Sequence, residues 1–442
     1  MNSEPECMLA YITAGAGGML CGSCLHDNTL ARTWCQQGIP VVLVPTYTPI
    51  RTDEEDVSSD RVFLGGINVY LQQRLPWLRH FPAGLLRWLD HPRLIRWATS
   101  RAAAISASSL GALTVSMLQG VAGHQRHEVL KLTRWLTESL RPRLVLFTNM
   151  LIAGCAEQLR STLQAPILVT LQGDDVFLDS LVEPYRTQAL QEICRLIPCV
   201  DAFLVHSQFY ADFMQDYLGI PADKIRLVPL GIDTTGFPPP SQSDATGSPG
   251  AEPGLRTIGY LARLAPEKGL HVLVDAFLDL RRRESMDHVQ LKIAGWLGPD
   301  QREFAQTQFR KLDQAGLNRA WQYLGTVDRA GKLSFLQNLH VLSVPTTYRE
   351  PKGLYVLEAL AAGVPVVQPA HGAFPEMLSK SGGGLLVPPH DSRRLADAWQ
   401  NLLTDEAARR SLGQQGALAV HGRFHAQAMA RKTWAVCQEF LR

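Results

Sequence analysis

The sequence predicts an α/β protein built from two doubly wound domains. Its 442 residues are more than one ordinary core accommodates. Short, continuously apolar runs alternate with helix-length segments, as expected for parallel strands covered on both faces. One stretch rich in Pro, Ser and Gly interrupts the pattern near the middle of the chain. Such a stretch separates two blocks of the same βα repeat.

The apolar runs define two series of buried strands. The first series comprises 8–13, 41–47, 144–149, 167–172, 202–207 and 225–231. The second comprises 256–262, 289–296, 321–327, 340–346 and 364–370. We expect two Rossmann-like domains that face each other across a cleft and bind ligands at the carboxyl ends of their strands.

Composition and pattern set the domain boundaries. We expect a first domain over 1–237, a linker or loop over 238–254 and a second domain over 255–425. Residues 426–442 have a helical pattern and form a segment that would pack back on the first domain.

Charge and hydropathy exclude several classes of protein. The formal net charge of +2 argues against a nucleic-acid partner. No run reaches the 18 or so apolar residues of a membrane span, and 1–7 lack the basic residues of a secretory signal. The expected location is therefore cytoplasmic. Eight cysteines are too few for a disulfide scaffold.

The sharpest motif follows the strand at 340–346 and reads EPKGLYVLE, from Glu350 to Glu358. Gly353 opens a helical pattern, where backbone amides approach and attract phosphate. The two carboxylates are spaced to accept hydrogen bonds from sugar hydroxyls at opposite ends of one ligand. An ordinary βα unit with an exposed acid gives the same spacing, and short motifs alone do not decide between these interpretations.

A second motif follows the first strand of the second domain and carries Arg263 and Lys268. A guanidinium fork and an ammonium point charge suit a diphosphate. Taken alone, they are equally well explained as solvated surface residues.

Together the two motifs resemble the donor site of the family-4, group 1 retaining glycosyltransferases, which have the GT-B fold. The glycine-rich loop at 14–18 resembles the start of the first domain in that family, and the resemblance extends from residue 8 to about residue 420. The first domain would then be the acceptor side and the second the nucleotide-sugar donor domain.

The resemblance implies roles for individual residues. Arg263 and Lys268 would neutralise the donor diphosphate, Glu350 would contact the transferred sugar, and Glu358 would hold the ribose. Gly18, Gly353 and Leu354 would complete the donor site. Leaving-group stabilisation by preorganised charge would then need no metal, no cofactor and no side-chain nucleophile. The co-substrate would be a nucleotide-diphosphate sugar, and the acceptor a hydroxyl of a sugar, a lipid or another molecule.

Three positions depart from the family pattern or add to it. Lys352 stands where an aromatic residue or glycine is common, so it would pair with Glu350, bind phosphate, recognise an acidic sugar or simply reach solvent. Gln172 stands where many members have a histidine that touches the donor sugar. Asp174, or its neighbour Asp175, would either assist the acceptor hydroxyl as a base or cap the next helix.

The polar loop at 21–28 lies near the acceptor in this family, which implies His26, Asp27 and Asn28 as acceptor contacts. Cys21 and Cys24 also suggest metal or redox chemistry, but a structural zinc needs about four ligands, and no second pair completes the set. Packing in a tight turn is the favoured interpretation of the two thiols.

The segment 71–101 is basic and bears three tryptophans, at positions 77, 88 and 97. It would contact an anionic membrane surface at the inner membrane face, cover the acceptor cleft, or pack with arginine rims. Three prolines break any single long helix there.

Two rival functions remain beside the transferase. A non-catalytic nucleotide-sugar binder would keep the donor pocket, and Lys352 and Gln172 leave that interpretation open. A sugar-nucleotide epimerase is disfavoured, because that class brings its own acid–base residues and lacks the two-glutamate spacing.

Overall fold

The structure is a computed structural model that describes residues 8–15, 21–59, 61–63, 107–240 and 254–441. The chain divides into two compact units. Unit 1 comprises Met1–His206, Ala211–Val228 and Ala430–Arg442, and unit 2 comprises Ser207–Tyr210 and Pro229–Met429. Most of the predicted linker, 241–253, lies outside the described residues.

Unit 1 is built on a parallel sheet of six strands in the order β2-β1-β3-β4-β5-β6. The strands are almost wholly apolar, and most of their residues are buried, as the continuous runs require. Their bounds are β1 Leu9–Thr13, β2 Val41–Pro45, β3 Leu144–Phe147, β4 Ile167–Thr170, β5 Ala202–Val205 and β6 Ile225–Leu227. The strand order reverses between β1 and β3. Open α/β sheets bind ligands at such a reversal, beyond the carboxyl ends of the strands.

Helices flank this sheet. The α-helices are α1 Gly22–Gln36, α2 Ala107–Leu118, α3 Arg126–Arg134, α4 Ala156–Thr162, α5 Asp174–Asp179, α6 Tyr185–Leu196 and α7 Gln208–Leu218. A π-helix, Trp135–Leu140, extends α3 directly. Helix α1 begins at Gly22, so the polar residues after Cys21, predicted as a loop, belong to its first two turns.

Unit 2 repeats the plan with the sheet order β12-β11-β10-β7-β8-β9. Its strands are β7 Arg256–Leu261, β8 Val289–Ala294, β9 Trp321–Tyr323, β10 Val341–Leu342, β11 Val366–Pro369 and β12 Gly384–Val387. The chain runs outward from β7 to β9 and then returns to place β10 beside β7, which is the Rossmann strand order.

The helices of unit 2 cover both faces of its sheet. They are α8 Leu270–Arg281, α9 Arg302–Gln314, α10 Arg329–Gln337, α11 Leu354–Ala361, α12 Phe374–Ser381, α13 Ser392–Thr404 and α14 Glu406–Arg423. Among the described residues no helix is long and apolar enough to cross a membrane.

The structure confirms the predicted two-domain α/β class, and every predicted strand is present. Most end earlier than their apolar runs, because the last apolar residues already belong to the loops that leave the sheet. Strand β12 is missing from the prediction. Its sequence, GLLV, follows two further glycines and is too short to stand out as a buried run.

The last helix, α15 Ala426–Phe440, matches the predicted helical segment, and its residues from Ala430 onward belong to unit 1. The indole nitrogen of Trp34 donates to the carbonyl of Ala430 at 3.0 Å. The rings of Trp34 and Trp434 lie 6.3 Å apart, centroid to centroid, and Arg226 pairs with Glu439 at 2.8 Å. This helix therefore completes the core of unit 1.

Candidate active site

The two motifs of unit 2 follow neighbouring strands. Strand β10 pairs with β7 in parallel, with Val341 opposite Ile258, so the loops after both strands leave the same edge of the sheet. This pair is the point where the strand order reverses. Open α/β sheets bind ligands at that point, and Arg263, Lys268 and Glu350 lie there.

A glycine lets the two loops touch. Gly269 has φ of +73°, and a Cβ placed on it would lie 1.7 Å from the carbonyl oxygen of Pro345. Any side chain would therefore push the second loop away. The contact is reinforced by the backbone, because the amide of Thr347 donates to the carbonyl of Glu267 at 2.9 Å.

Lys268 and Glu350 form the centre of this site. The ammonium Nζ of Lys268 donates to Oε2 of Glu350 at 2.6 Å and to the hydroxyl of Tyr348 at 2.6 Å. The Tyr348 hydroxyl donates to the same Oε2 at 2.6 Å, and that of Tyr355 does so at 3.2 Å. One carboxylate oxygen thus gathers three donors, and Glu350 is only 4% exposed.

These contacts fix the charge of Glu350. Burial acts to raise its pKa, but the ammonium groups of Lys268 and Lys352 and the hydroxyl of Tyr348 outweigh burial and hold the pKa at about 2. Burial and the adjacent carboxylate raise the pKa values of Tyr348 and Tyr355. At neutral pH Glu350 is therefore an anion, and the two tyrosines are neutral and donate hydrogen bonds to it.

Helix α11 starts immediately after this carboxylate. Gly353 caps the helix with φ of +72°, and a Cβ there would lie 3.0 Å from the ring of Phe374. The amide of Val356 donates to the Gly353 carbonyl at 2.9 Å, and the amides of Leu354 and Tyr355 precede this first bond of the helix. Such amides and the helix dipole favour an anion at this end.

Glu358 lies in α11 and forms a buried ion pair with Lys332 of α10. Both side chains are 8% exposed. Its Oε1 accepts from Lys332, while its Oε2 accepts no hydrogen bond from the residues that the structure describes. One oxygen is held in place and the other is left for an outside donor.

Arg263 is placed differently from Lys268. It pairs with Glu267 of its own loop, and its side chain is 44% exposed. The carbonyl of Arg263 accepts from the hydroxyl of Tyr260 at 3.0 Å, so the main chain is fixed while the guanidinium faces water. The pair with Glu267 contributes little to stability at this exposure.

Asp27 is the centre of a second polar cluster, in unit 1. It is 0% exposed and lies in α1, beside the reversal point between β1 and β3. Five side chains donate to its two oxygens: Tyr11, Thr13, His26, Thr148 and Gln172. Burial acts to raise the pKa of Asp27, but the hydrogen bonds from His26, Thr148 and Tyr11 outweigh it and lower the pKa.

His26 and Asn28, which flank Asp27 in the sequence, have different hydrogen-bond partners. Nδ1 of His26 lies 3.1 Å from Asp27, and the His26 ring contacts that of His206 at 4.7 Å between centroids. Nε2 of His26 is buried without a hydrogen-bond partner in the described part of the chain. The amide of Asn28 bonds at both ends to the following loop, at 2.8 Å to the Glu55 carbonyl and 3.0 Å to the Val57 amide.

Gln172 and Asp174 belong to the same edge of unit 1. The Gln172 amide nitrogen donates to Asp27 at 2.9 Å and to the hydroxyl of Thr148 at 2.9 Å. Asp174 accepts the backbone amides of Met150 at 2.7 Å and of Gln172 at 3.2 Å. Burial raises the Asp174 pKa to about 7 despite these bonds, so this carboxylate titrates near neutral pH.

Some sequence predictions lie outside the described residues. They include Gly18 with most of its glycine-rich loop and the whole of 71–101. Cys21 is the N-cap residue of α1 and Cys24 is buried in the first turn of that helix, so the two thiols lie at a helix start and not in the predicted tight turn. The described ranges hold no cluster of three or more His, Cys, Asp or Glu that fits a metal ion.

Comparison with known proteins identifies the family. The family model described as "Glycosyl transferases group 1" matches residues 243–418, and the model described as "Glycosyltransferase Family 4" matches residues 118–235. These matches cover the donor motifs and the segment of unit 1 that holds β3 to β6. The chain belongs to the group 1, family 4 glycosyltransferases.

Its relatives act on several acceptors. The chain is 29% identical over 232 residues to the D-inositol 3-phosphate glycosyltransferase of Corynebacterium efficiens, covering 51% of this chain and 54% of the relative. It is 36% identical over 166 residues to the phosphatidyl-myo-inositol mannosyltransferase of Mycobacterium leprae, covering 37% and 42%. The chain thus spans about half the length of the curated relatives it matches.

Solved structures share the whole fold. The sucrose-phosphate synthase of Thermosynechococcus elongatus superimposes with a TM-score of 0.69 at 20% identity, covering 98% of each chain. Anabaena HepE, solved with UDP and glucose, gives a TM-score of 0.66 at 15% identity, covering 98% of this chain and 100% of HepE. The GT-B fold is thereby confirmed.

Sequence reasoning missed three residues of the donor-side network. Tyr355 lies inside the EPKGLYVLE motif, where its helical position looks like core, and Tyr348 lies just before it. Lys332 is 26 residues from Glu358 along the chain, and no sequence pattern links them before the fold brings α10 to α11. The two tyrosines were detectable from their place in the loop; Lys332 was not.

Proposed function

We propose that this protein is a retaining, metal-independent glycosyltransferase that moves a sugar from a nucleotide-diphosphate sugar to an acceptor hydroxyl. The observation that carries the proposal is the ion pair between Lys268 and Glu350, at 2.6 Å, at the strand-order reversal of unit 2. A ligand arriving there meets an ammonium, a fixed carboxylate and the free amides of a helix start within one small region.

The diphosphate is the leaving group, and its developing negative charge needs stabilisation. Lys268 is held by Glu350 and Tyr348, so it is oriented before any ligand arrives. Arg263 supplies a guanidinium on an exposed side chain. The amides of Gly353 and Leu354 add neutral donors. Together these groups supply positive potential without a metal ion, as the proposal requires.

Glu350 and Glu358 would bind opposite ends of the donor through hydrogen bonds. Oε1 of Glu350 accepts the Lys352 backbone amide at 3.4 Å and would also accept a sugar hydroxyl, since Oε2 is occupied by Lys268 and two tyrosines. Glu358 keeps Oε2 for the ribose hydroxyls, since Oε1 is occupied by Lys332. In each case a buried cation holds one oxygen and leaves the other, so the carboxylate is preorganised for a hydroxyl.

Unit 1 supplies the acceptor side of the proposal. The side chains of Asp27 and Asn28 are occupied inside unit 1, so we assign them to positioning. His26 keeps Nε2 for a ligand, with Nδ1 held by Asp27. Gln172 belongs to the same cluster, where its amide nitrogen donates to Asp27 and to Thr148. The names of the relatives favour inositol phosphates and phosphoinositides as the first acceptors to assay.

The decisive experiment is transfer by the purified protein. The melting temperature is first measured against nucleoside diphosphates and their sugars, with and without EDTA. The nucleotide that stabilises the protein is then used as donor with inositol 3-phosphate and phosphatidylinositol, and NMR gives the anomeric configuration of the product. Lys268→Met is the negative control and Lys311→Met the matched surface control.

Each outcome bears on the proposal. Chelator-insensitive transfer with the donor's anomeric configuration kept, lost in Lys268→Met, supports it. Inversion would exclude the retaining assignment, and loss of activity in EDTA would exclude metal independence. Tight binding of a nucleotide sugar with neither transfer nor hydrolysis would favour a non-catalytic binder instead.

A further inference from the structure

His26 has a buried ring nitrogen without a hydrogen-bond partner. The residue is 2% exposed, and among the residues that the structure describes none bonds to its Nε2. Leaving a buried polar atom unpaired costs free energy, and most buried polar side-chain atoms have a partner. An exception of this kind at a ligand-binding edge points to a group that binds there.

The other ring nitrogen fixes the tautomer of His26. Its Nδ1 lies 3.1 Å from Oδ1 of Asp27. Burial acts to raise the pKa of Asp27, but the hydrogen bonds that the carboxyl accepts, first among them that of His26, lower the pKa. Asp27 is therefore ionised at neutral pH and can only accept, so Nδ1 carries the proton. In the neutral imidazole Nε2 then bears a lone pair and accepts a hydrogen bond from a ligand.

Asp27 is itself held in place. Its Oδ2 accepts from the hydroxyl of Thr13 at 2.7 Å and from that of Thr148, and its Oδ1 also accepts from Gln172 at 2.9 Å. A fixed carboxylate on the Nδ1 side of a histidine keeps the ring in one tautomer and orientation. It also stabilises the imidazolium that forms when Nε2 takes a proton.

His26 lies at the edge of unit 1 where ligands are expected. It belongs to the first two turns of α1, which follows β1, and the strand order reverses between β1 and β3. Asp174, the other candidate base at this edge, already accepts the backbone amides of Met150 at 2.7 Å and of Gln172 at 3.2 Å. His26 is thus the better candidate for taking a proton from a ligand.

We propose that His26 is the general base that takes the proton of the acceptor hydroxyl, with Asp27 as its positioning residue. This inference rests on the proposed function. As the acceptor oxygen bonds to the anomeric carbon, its O–H bond breaks and the proton passes to Nε2 of His26. The bond from the anomeric carbon to the diphosphate breaks, and the nucleoside diphosphate leaves with the electron pair. Because Nε2 is buried, bulk water does not compete for the base, and the acceptor has to open this edge of unit 1 to reach it.

The test compares the wild type with His26→Ala, His26→Gln and the control His288→Gln. Alanine suits a helix and leaves room for a small base, whereas glutamine fills the space and cannot take the proton. His288 is a matched control because it also neighbours an aspartate, with Nδ1 3.9 Å from Oδ1 of Asp287, but its side chain is 37% exposed. Initial rates are measured with UDP-glucose and GDP-mannose as donors and inositol 3-phosphate as acceptor, with and without added imidazole.

We expect kcat to fall by about a hundredfold or more in both His26 variants, since that is the contribution of a general base. Their affinity for UDP or GDP should stay at the wild-type value, and His288→Gln should match the wild type throughout. Imidazole should restore part of the transfer in His26→Ala and none in His26→Gln. Rescue of this kind separates a base from a residue that only supports the fold.

A second measurement does not depend on the variants. In nitrogen-15 spectra of the wild type with labelled histidine, assigned through the backbone, the neutral ring of His26 should be the Nδ1–H tautomer. Finding the Nε2–H tautomer would overturn the inference, because Nε2 would then have no lone pair for the proton.

The rates separate the inference from the proposed function. Transfer by His26→Gln within about tenfold of the wild-type rate overturns the inference alone. So does the absence of imidazole rescue in His26→Ala that melts and binds nucleotide like the wild type. If the wild type binds UDP or GDP but transfers sugar from neither donor, the proposed function fails and the inference fails with it.

Discussion

The ammonium of Lys268 lies 2.6 Å from Oε2 of Glu350, and this pair joins the loop after β7 to the loop after β10. The lysine is 15% exposed and the carboxylate 5%. Such a pair stabilises most when its remaining polar atoms are satisfied, and the Tyr348 hydroxyl meets both partners here. The same contacts that hold the loops together also orient the groups proposed to bind the donor.

Removing the charge of Lys268 should affect binding and stability together. In Lys268→Met, Glu350 keeps its two tyrosine donors but loses its cation, so we expect its pKa to rise and the nucleotide affinity to fall by about tenfold or more. Calorimetric titration with the diphosphate identified by thermal shift measures the affinity. An affinity equal to that of Lys311→Met would contradict the role given to Lys268.

Arg263→Ala should separate function from stability. The guanidinium is 44% exposed and pairs only within its own loop, so its removal should change the free energy of unfolding by less than about 1 kcal/mol. Turnover should fall by about tenfold or more, because a donor to the leaving diphosphate is lost. Urea denaturation and initial rates are the two measurements. A marked loss of stability with unchanged turnover would reverse the assignment.

The buried pair of Lys332 and Glu358 predicts a coupled double-mutant cycle. Lys332→Met leaves a buried carboxylate without its cation and should lower the unfolding free energy by about 3 kcal/mol. The double variant with Glu358→Gln should be less destabilised than the sum of the single changes. Urea unfolding of the four proteins gives the coupling energy, and strict additivity would mean that the pair does not act as a unit.

Glu358→Gln has a second, functional readout. If Oε2 holds the ribose, the variant should lose affinity for the nucleoside diphosphate while losing little affinity for its 2′,3′-dideoxy analogue. An equal loss for both ligands would show that Glu358 acts on another part of the donor.

Asp27→Asn should destabilise unit 1 strongly. The carboxylate is buried and accepts from five side chains, whereas an amide offers one accepting oxygen and presents its NH₂ group to donors. We expect a loss of about 3 kcal/mol in unfolding free energy. The matched control is Asp223→Asn on an exposed residue, which should stay within about 0.5 kcal/mol of the wild type.

Asp174 predicts a dependence of stability on pH. Its pKa of about 7 in the folded chain lies above the ordinary value for aspartate, so the folded state holds the proton more tightly than the unfolded state does. Its contribution is therefore fully present below the unfolded pKa and is lost as pH rises towards 7. Measured from pH 5 to 8, the unfolding free energy of the wild type should fall relative to Asp174→Asn. A difference that stays constant across this range would contradict the raised pKa.

The sequence was sufficient for the fold class because parallel strands buried on both faces read as continuous apolar runs. It failed at β12, where four residues give no periodicity. It placed Lys268 and Glu350 in one site because both follow strands whose carboxyl ends meet. It did not reveal that the polar stretch after Cys21 is already helical, or that Gln172 bonds to Asp27 across 145 positions. Contacts that distant depend on strand order and register, which a single sequence does not encode in any local pattern.

The return of the chain into unit 1 at Ala430 has a consequence for synthesis. Most of unit 2 is inserted into the sequence of unit 1. The residues of unit 1 from Ala430 onward are therefore synthesised only after unit 2. Domains generally fold from the N-terminus as the ribosome releases them. Trp34 is synthesised early but contacts Ala430 and Trp434, so the nascent first unit exposes an indole surface until residues 430–434 have been made.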